Sequence, residues 1–271
     1  MKPMKPRKYG EFPRPYMNKI LAKLPTNSRS WLKMLEPVTL HSGMVLYEPD
    51  EDIEHVYFLS NALVSIVSMN SEGATVEICL IGSEGMVGVP AILGGVAPYR
   101  AIVQMGGAAF RIRRRKIYEE FRKNACLRDL LLKYTNVFLI QIAQFSICNC
   151  YHTLQERLCR WLLVARDAVH SDVLVMTHEV ISRLLGTRRA SITVAAGLLQ
   201  RAGLSRSAAA VSPSRTHRVS QQCPVNAIPS FGTKSFAWKP HRTAVRCRTD
   251  TPLQLRYRHG QIVALSSACE K

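Results

Sequence analysis

Leu127, Leu131, Tyr134, Phe138, Gln141, Phe145, Cys148 and His152 recur at alternating gaps of four and three. That is a 3.5-residue period, the mark of helices packed knobs-into-holes. A helix over these residues is ~39 Å long at 1.5 Å per residue, more than a small domain uses internally. The repeat therefore reads as a dimer seam, and it divides the chain into an N-terminal and a C-terminal part. A membrane reading competes, because residues 134–154 hold no Asp, Glu, Lys or Arg over about one bilayer length. Asn136, Gln141, Gln144, Asn149 and His152 interrupt the stretch, and Gln141 lies on the seam itself. A seam buried in protein explains that mixture better, so no membrane partner is expected.

Before the repeat, two short helices are predicted over residues 18–24 and 28–35. Short runs then alternate apolar and polar residues at 38–40, 44–47, 55–59, 63–67, 75–80, 101–105 and 109–112. Ser42-Gly43, Pro49-Asp50, the segment 70–73, Gly82 and Gly94-Gly95 punctuate them. Short strands at near-regular spacing with such turns indicate an antiparallel jelly roll or barrel. A helix is expected over residues 113–125, with Ile117, Tyr118 and Phe121 on one face.

After the repeat, residues 156–168 form an amphipathic pattern with Leu158, Trp161, Leu162 and Ala165 inward. Residues 173–176 are a short apolar run. Thr177 can cap the next helix, and Glu179 in its first turn suits the helix dipole. Val180, Ile181, Leu184 and Leu185 make one apolar face, and Gly186 breaks it. A second helix spans about 188–199, with Ile192, Ala195, Ala196 and Leu199 inward. Two short helices, a glycine turn and an Arg-rich second start suggest a helix-turn-helix, whose second helix fits a DNA major groove.

Charge supports a polyanionic partner. The 271 residues carry 37 Lys+Arg against 19 Asp+Glu, a formal charge of +18. Half of it, +9, lies in residues 205–271. The length suits one to two domains at roughly 100–200 residues each. Eight cysteines are scattered without a CxxC pair, as expected of reduced thiols in a cytoplasm. The Lys/Pro-rich start lacks an apolar signal core, which agrees with a cytoplasmic location. No acid/base pair, nucleophile motif, phosphate loop or metal cluster stands at useful spacing, so an enzyme is not expected.

Three segments carry a family resemblance: EPDEDIEHVYFLSNALVSIVS at 48–68, HTLQERLCRWLL at 152–163, and MTHEVISRLLGTRRASITVAAGLLQRAGL at 176–204. Residues 18–204 resemble the Crp/Fnr family of bacterial transcription regulators. The resemblance implies an α+β chain. A cyclic-nucleotide-binding-like jelly-roll barrel precedes a long dimerisation helix and a C-terminal winged helix-turn-helix. The expected organisation is a flexible basic arm (1–17), an effector-sensing barrel (18–125), the dimerisation helix (126–152), the helix-turn-helix (153–204) and a tail (205–271). The implied partners are double-stranded DNA with a palindromic operator, a second copy of the chain, and RNA polymerase.

The same resemblance locates site residues and departures. In cyclic-nucleotide-binding members a Glu accepts from the ribose and an Arg-Ser/Thr pair meets the phosphate. Here the matching positions are Gly88-Val89 and Arg100-Ala101, with Glu84 five residues ahead of Val89. Val for Glu removes a bond worth ~1.5–3 kcal/mol to a charged partner, so cyclic AMP is not expected as a tight ligand. The effector is otherwise an unknown small molecule or none. Oxygen-sensing members hold an iron–sulfur cluster on N-terminal cysteines. The first cysteine here is Cys79, so no such cluster is expected. His41 and His55 read as polar sheet residues rather than haem ligands. Base-contacting positions map to Arg189, Ala190 and Val194. Arg189 would read guanine, and the other two would pack on thymine methyls. Arg188, Ser191 and Thr193 read as phosphate or supporting contacts.

The family follows its recognition helix with a two-stranded wing. After Leu204 this chain shows no period of 2 or 3.6 and is rich in Ser, Pro and Arg. The wing is expected to be missing or altered. Two explanations are open, a disordered basic extension that adds nonspecific DNA affinity or a changed reading frame near Leu204, and the abruptness of the shift favours the second. A dimer that senses a ligand but has lost specific DNA binding is then the rival function.

Overall fold

The computed structural model describes residues 14–169, 173–201, 205–208, 216–219, 254–258 and 261–265. Most of the basic arm and the larger part of the tail lie outside the described residues. The chain divides into two compact units, residues 1–147 with 168–170, and residues 148–167 with 171–271.

The first unit is built on two four-stranded antiparallel sheets. One has the order β1 (Glu36–Leu40), β8 (Gly107–Arg113), β3 (His55–Leu59), β6 (Met86–Val87). The other has the order β2 (Val45–Tyr47), β7 (Arg100–Met105), β4 (Leu63–Met69), β5 (Thr75–Ile81). Non-consecutive neighbours in both sheets make this the expected jelly roll. The β4–β5 turn is dictated by its residues. The Asn70 side chain accepts from the Glu72 and Ala74 amides at 3.1 and 2.8 Å, and Gly73 adopts φ +81°. β6 was not foreseen. It has only two residues between two glycines, too few for a visible period, and it is held by pairing with Tyr57 and Phe58.

Buried apolar side chains from both sheets form one core with Trp31, Leu21 and Leu24 from the N-terminal segment. The predicted helix at 18–24 is the single turn α1 (Lys19–Ala22). Its buried cap Asn18 accepts from the Ile20 and Leu21 amides at 3.0 and 3.2 Å, and donates to the Leu59 and Gly85 carbonyls at 2.9 and 2.7 Å. One amide thereby ties α1 to the barrel with every polar group used. The predicted helix at 28–35 is instead a pair of 3₁₀ turns at Thr26–Ser28 and Ser30–Met34. Each is too short to sustain an α-helical ladder and serves to bury Trp31.

After α2 (Val89–Leu93) and α3 (Arg114–Lys123), the chain enters α4 (Ala125–Tyr151). Asn124 starts it by accepting from the Leu127 amide at 3.1 Å. The expected dimer seam needs correction. Leu127, Leu131, Tyr134 and Phe138 belong to the core of the first unit, packed with the barrel of their own chain. The 3.5 period marked a face that packs, but it carried no information about what it packs on. Gln141 is half-buried and accepts from the Cys79 thiol at 3.5 Å, Phe145 is half-buried, and Cys148 is buried. On the opposite side of α4, at 100° per residue, Leu132, Leu139 and Ile147 are 45, 59 and 51 % exposed. By length and composition α4 could cross a membrane, yet Leu127, Leu131, Tyr134 and Phe138 in its N-terminal half are built into the barrel core.

In the second unit, α5 (Leu154–Val169) opens with a capping box. The Glu156 carboxylate accepts from the Thr153 amide and hydroxyl at 2.8 and 2.9 Å. Leu158, Trp161, Leu162 and Ala165 are buried as their spacing requires. Next come β9 (Val173–Val175), α6 (His178–Leu184) and α7 (Arg189–Arg201). Thr177 caps α6 by accepting from the Val180 amide at 3.1 Å.

Where the wing was expected to be missing or altered, two short strands follow α7. β10 (Ser205–Ala208) pairs with β11 (Thr216–Val219), which pairs in turn with β9, giving the order β10-β11-β9. A two-stranded hairpin thus succeeds α7. Its signal was absent from the sequence because these strands are four residues each, with little apolar alternation, and pair through the backbone onto β9. Further along the tail, β12 (Gln254–Arg258) pairs with β13 (Gln261–Leu265).

Candidate functional site

Two places in the chain gather the residues singled out above. The first is the start of α7. Ile192, Ala195, Ala196 and Leu199 are buried, and they pin one side of the helix to its unit. The other side carries Arg189, Ala190, Thr193 and Val194, all exposed, with Val194 62 % exposed. Arg188, also exposed, starts the helix, and its carbonyl accepts from the Ser191 and Ile192 amides at 3.0 and 3.3 Å. The arrangement offers guanidinium groups and a small apolar surface at one helix end, a shape and charge suited to a major groove.

α6 and the turn hold α7 in place. Gly186 adopts φ +58°, which a glycine takes without a Cβ penalty, and closes the turn between the helices. Arg157 donates to the Leu185 carbonyl at the end of α6. Burial lowers the pKa of this guanidinium. The buried His178 lies 3.0 Å from the Thr193 hydroxyl, which donates to the Arg189 carbonyl at 3.1 Å. Thr193, expected as a phosphate or supporting contact, directs its hydroxyl hydrogen inside the unit. His178 was not foreseen, since a histidine in a first helical turn gives no sequence signal of its partner.

The second place is the barrel. Gly88 adopts φ +108° and starts α2, and an added Cβ would meet Val56 at 3.2 Å. Val89 is 4 % exposed and Ala101 fully buried, so both are core residues. The Glu84 carboxylate accepts from the Gly82 amide at 2.8 Å, which fixes its own turn. Arg100 meets Glu48 at 2.6 Å, and both side chains are 35 % exposed. Glu48 was not foreseen as a partner. Only the register of β2 on β7, Tyr47 opposite Ala101, places the next residues across from each other. Nearby, the Tyr47 and Tyr99 rings lie 6.3 Å apart. Burial raises both phenols, Tyr99 to about 12. The structure thus brings Arg100 to a carboxylate of its own chain.

Comparison with known proteins agrees with this geometry. The model of the cyclic nucleotide-binding domain matches residues 37–124, and that of the Crp-like helix-turn-helix domain matches residues 156–210. A search of curated proteins found no match. Among solved structures, FixK2 from Bradyrhizobium japonicum is similar with a TM-score of 0.60 at 16% identity, over 71% of this chain and 96% of its own. A putative transcriptional regulator of the Crp/Fnr family from Eubacterium rectale is similar with a TM-score of 0.58 at 14% identity, over 76% and 95%. The c-di-GMP responsive global regulator CLP from Xanthomonas campestris reaches 0.55 at 13% identity, over 72% and 100%. With barrel, long helix and reader in the same order and both domain models matched, this chain belongs to the Crp/Fnr family of transcription regulators.

Proposed function

We propose that the chain acts as a cytoplasmic homodimer that binds a palindromic operator and changes transcription in response to a signal in the barrel. The observation that carries this reading is the two-sided character of α7. Its apolar side is locked in the unit, and Arg189, Ala190 and Val194 are left outward at one end. Arg189 forms bidentate bonds to guanine O6/N7, while Ala190 and Val194 pack on thymine methyls. Arg188 and Ser191 meet phosphates. The second copy docks on the exposed stripe Leu132, Leu139 and Ile147 of α4, which takes over the role first expected of Leu127 to Cys148. Two readers then meet half-sites ~34 Å apart.

The signal is not cyclic AMP, because buried Val89 offers no acceptor to a ribose hydroxyl and Arg100 already faces Glu48. RNA polymerase is the partner through which a bound dimer acts. An electrophoretic shift assay on genomic fragments tests the core of this reading. Complexes that survive excess competitor DNA support it. Binding that competitor abolishes favours the rival, a sensing dimer without specific DNA binding.

A further inference from the structure

We infer that His178 is a positioning residue for the reading end of α7, acting through the Thr193 hydroxyl on the Arg189 backbone. This rests on the proposal that α7 reads DNA. A hydroxyl has one hydrogen and two acceptor positions. Thr193 Oγ1 gives its hydrogen to the Arg189 carbonyl at 3.1 Å. The 3.0 Å contact to His178 Nδ1 must then run the other way, with the imidazole Nδ1–H donating. That fixes the ring tautomer and orients the chain of bonds from α6 to Arg189.

His178 is 7 % exposed and so is placed to act on α7 from inside the unit rather than to touch a ligand itself. It sits in the first turn of α6, directly after the capping residue Thr177. The cap fixes the backbone that carries the ring, and the ring fixes Thr193. Thr193 lies one helical turn after Arg189, on the same outward side. Its bond to the Arg189 carbonyl ties residue 193 to residue 189 across the first turn of α7, beside the backbone ladder. The consequence is specific. Loosening this turn misplaces one guanidinium relative to one base pair but leaves the net charge of the surface unchanged. Discrimination at that base pair falls, and charge-driven nonspecific binding does not.

The test uses the full-length protein with four variants. His178→Phe keeps an aromatic ring, Thr193→Val keeps volume, and each removes the bond. His178→Asn and Thr193→Ser keep a group that can make it. The first readout is the ratio of affinities for a selected duplex and the same duplex changed at the base pair read by Arg189. Removing variants lose roughly three- to tenfold in that ratio, with nonspecific affinity unchanged. The double variant loses no more than either single one, and the keeping variants recover most of the ratio. The second readout needs no DNA: amide exchange of Ile192 and Thr193 quickens in both removing variants.

Unchanged ratio and exchange in Thr193→Val, an exposed position that tolerates substitution, overturn the inference even where His178→Phe does not fold. Additive losses in the double variant overturn it as well. Wild-type protein that selects no sequence overturns the DNA-reading proposal instead, and the exchange readout then decides the positioning role alone.

Discussion

The Tyr134 hydroxyl, buried in the first unit, donates to the Met86 carbonyl at 2.9 Å and fastens the long helix to the short strand β6. Burial raises this phenol well above its ordinary value, so it stays a donor at any physiological pH. Gly85 makes room for it, since a Cβ there would lie 2.6 Å from the hydroxyl. Tyr134→Phe removes the bond and should destabilise the protein by ~1 kcal/mol. Gly85→Ala should cost more, because the ring must shift in a packed core. Chemical denaturation checks both, and equal stability of Tyr134→Phe and wild type would show that the carbonyl finds another partner.

The two faces of α4 should respond differently. Leu131 is fully buried in the barrel core, and Leu131→Ala should cost ~2–5 kcal/mol in stability. Leu139 is 59 % exposed, and Leu139→Glu should leave the protomer folded but shift sedimentation from dimer to monomer. A dimer that survives Leu139→Glu together with Leu132→Glu would place the second copy elsewhere.

The capping box at the start of α5 predicts an acid-sensitive contribution. Two bonds to the Glu156 carboxylate, first from the Thr153 amide and then from its hydroxyl, lower its pKa. A carboxyl depressed on folding adds stability that is present above its unfolded pKa and is lost as pH falls through the lowered folded value. Glu156→Ala should therefore be less stable than wild type at neutral pH, and the gap should narrow in acid. Thr153→Ala should cost ~0.5–2 kcal/mol. Thermal melts across pH measure both, and a gap independent of pH would contradict the assignment.

In the barrel, calorimetric titration with cyclic AMP should show no micromolar binding. Glu48→Gln should change stability by less than ~1 kcal/mol, because both partners of the Arg100 pair are partly solvated. Tight cyclic AMP binding by the wild type would mean that another residue replaces the missing acceptor at Val89.

Local periodicity made much of this fold readable. Seven of the eight barrel strands show alternation or an apolar run, and the Thr177 cap and the buried residues of α7 accord with helical spacing. Pairings between distant residues were not readable. Glu48 meets Arg100, His178 meets Thr193, and Tyr134 meets Met86 only after strand register and helix packing are set. The α4 repeat shows the difference most clearly. Its first four positions, Leu127, Leu131, Tyr134 and Phe138, are buried as the period required, but their partner is the barrel of the same chain. The β10–β11 hairpin was missed for the opposite reason, since backbone pairing onto β9 needs little side-chain pattern.

A binding selection on random oligonucleotides, run in parallel on wild-type protein and Arg189→Ala, tests the central claim most directly. The wild type should enrich an inverted repeat with half-sites about one DNA turn apart, ~34 Å. Arg189→Ala should lose ~1–3 kcal/mol and relax one base position in each half-site. Enrichment of no sequence by the wild type, or the same sequence preference in both proteins, would contradict the account.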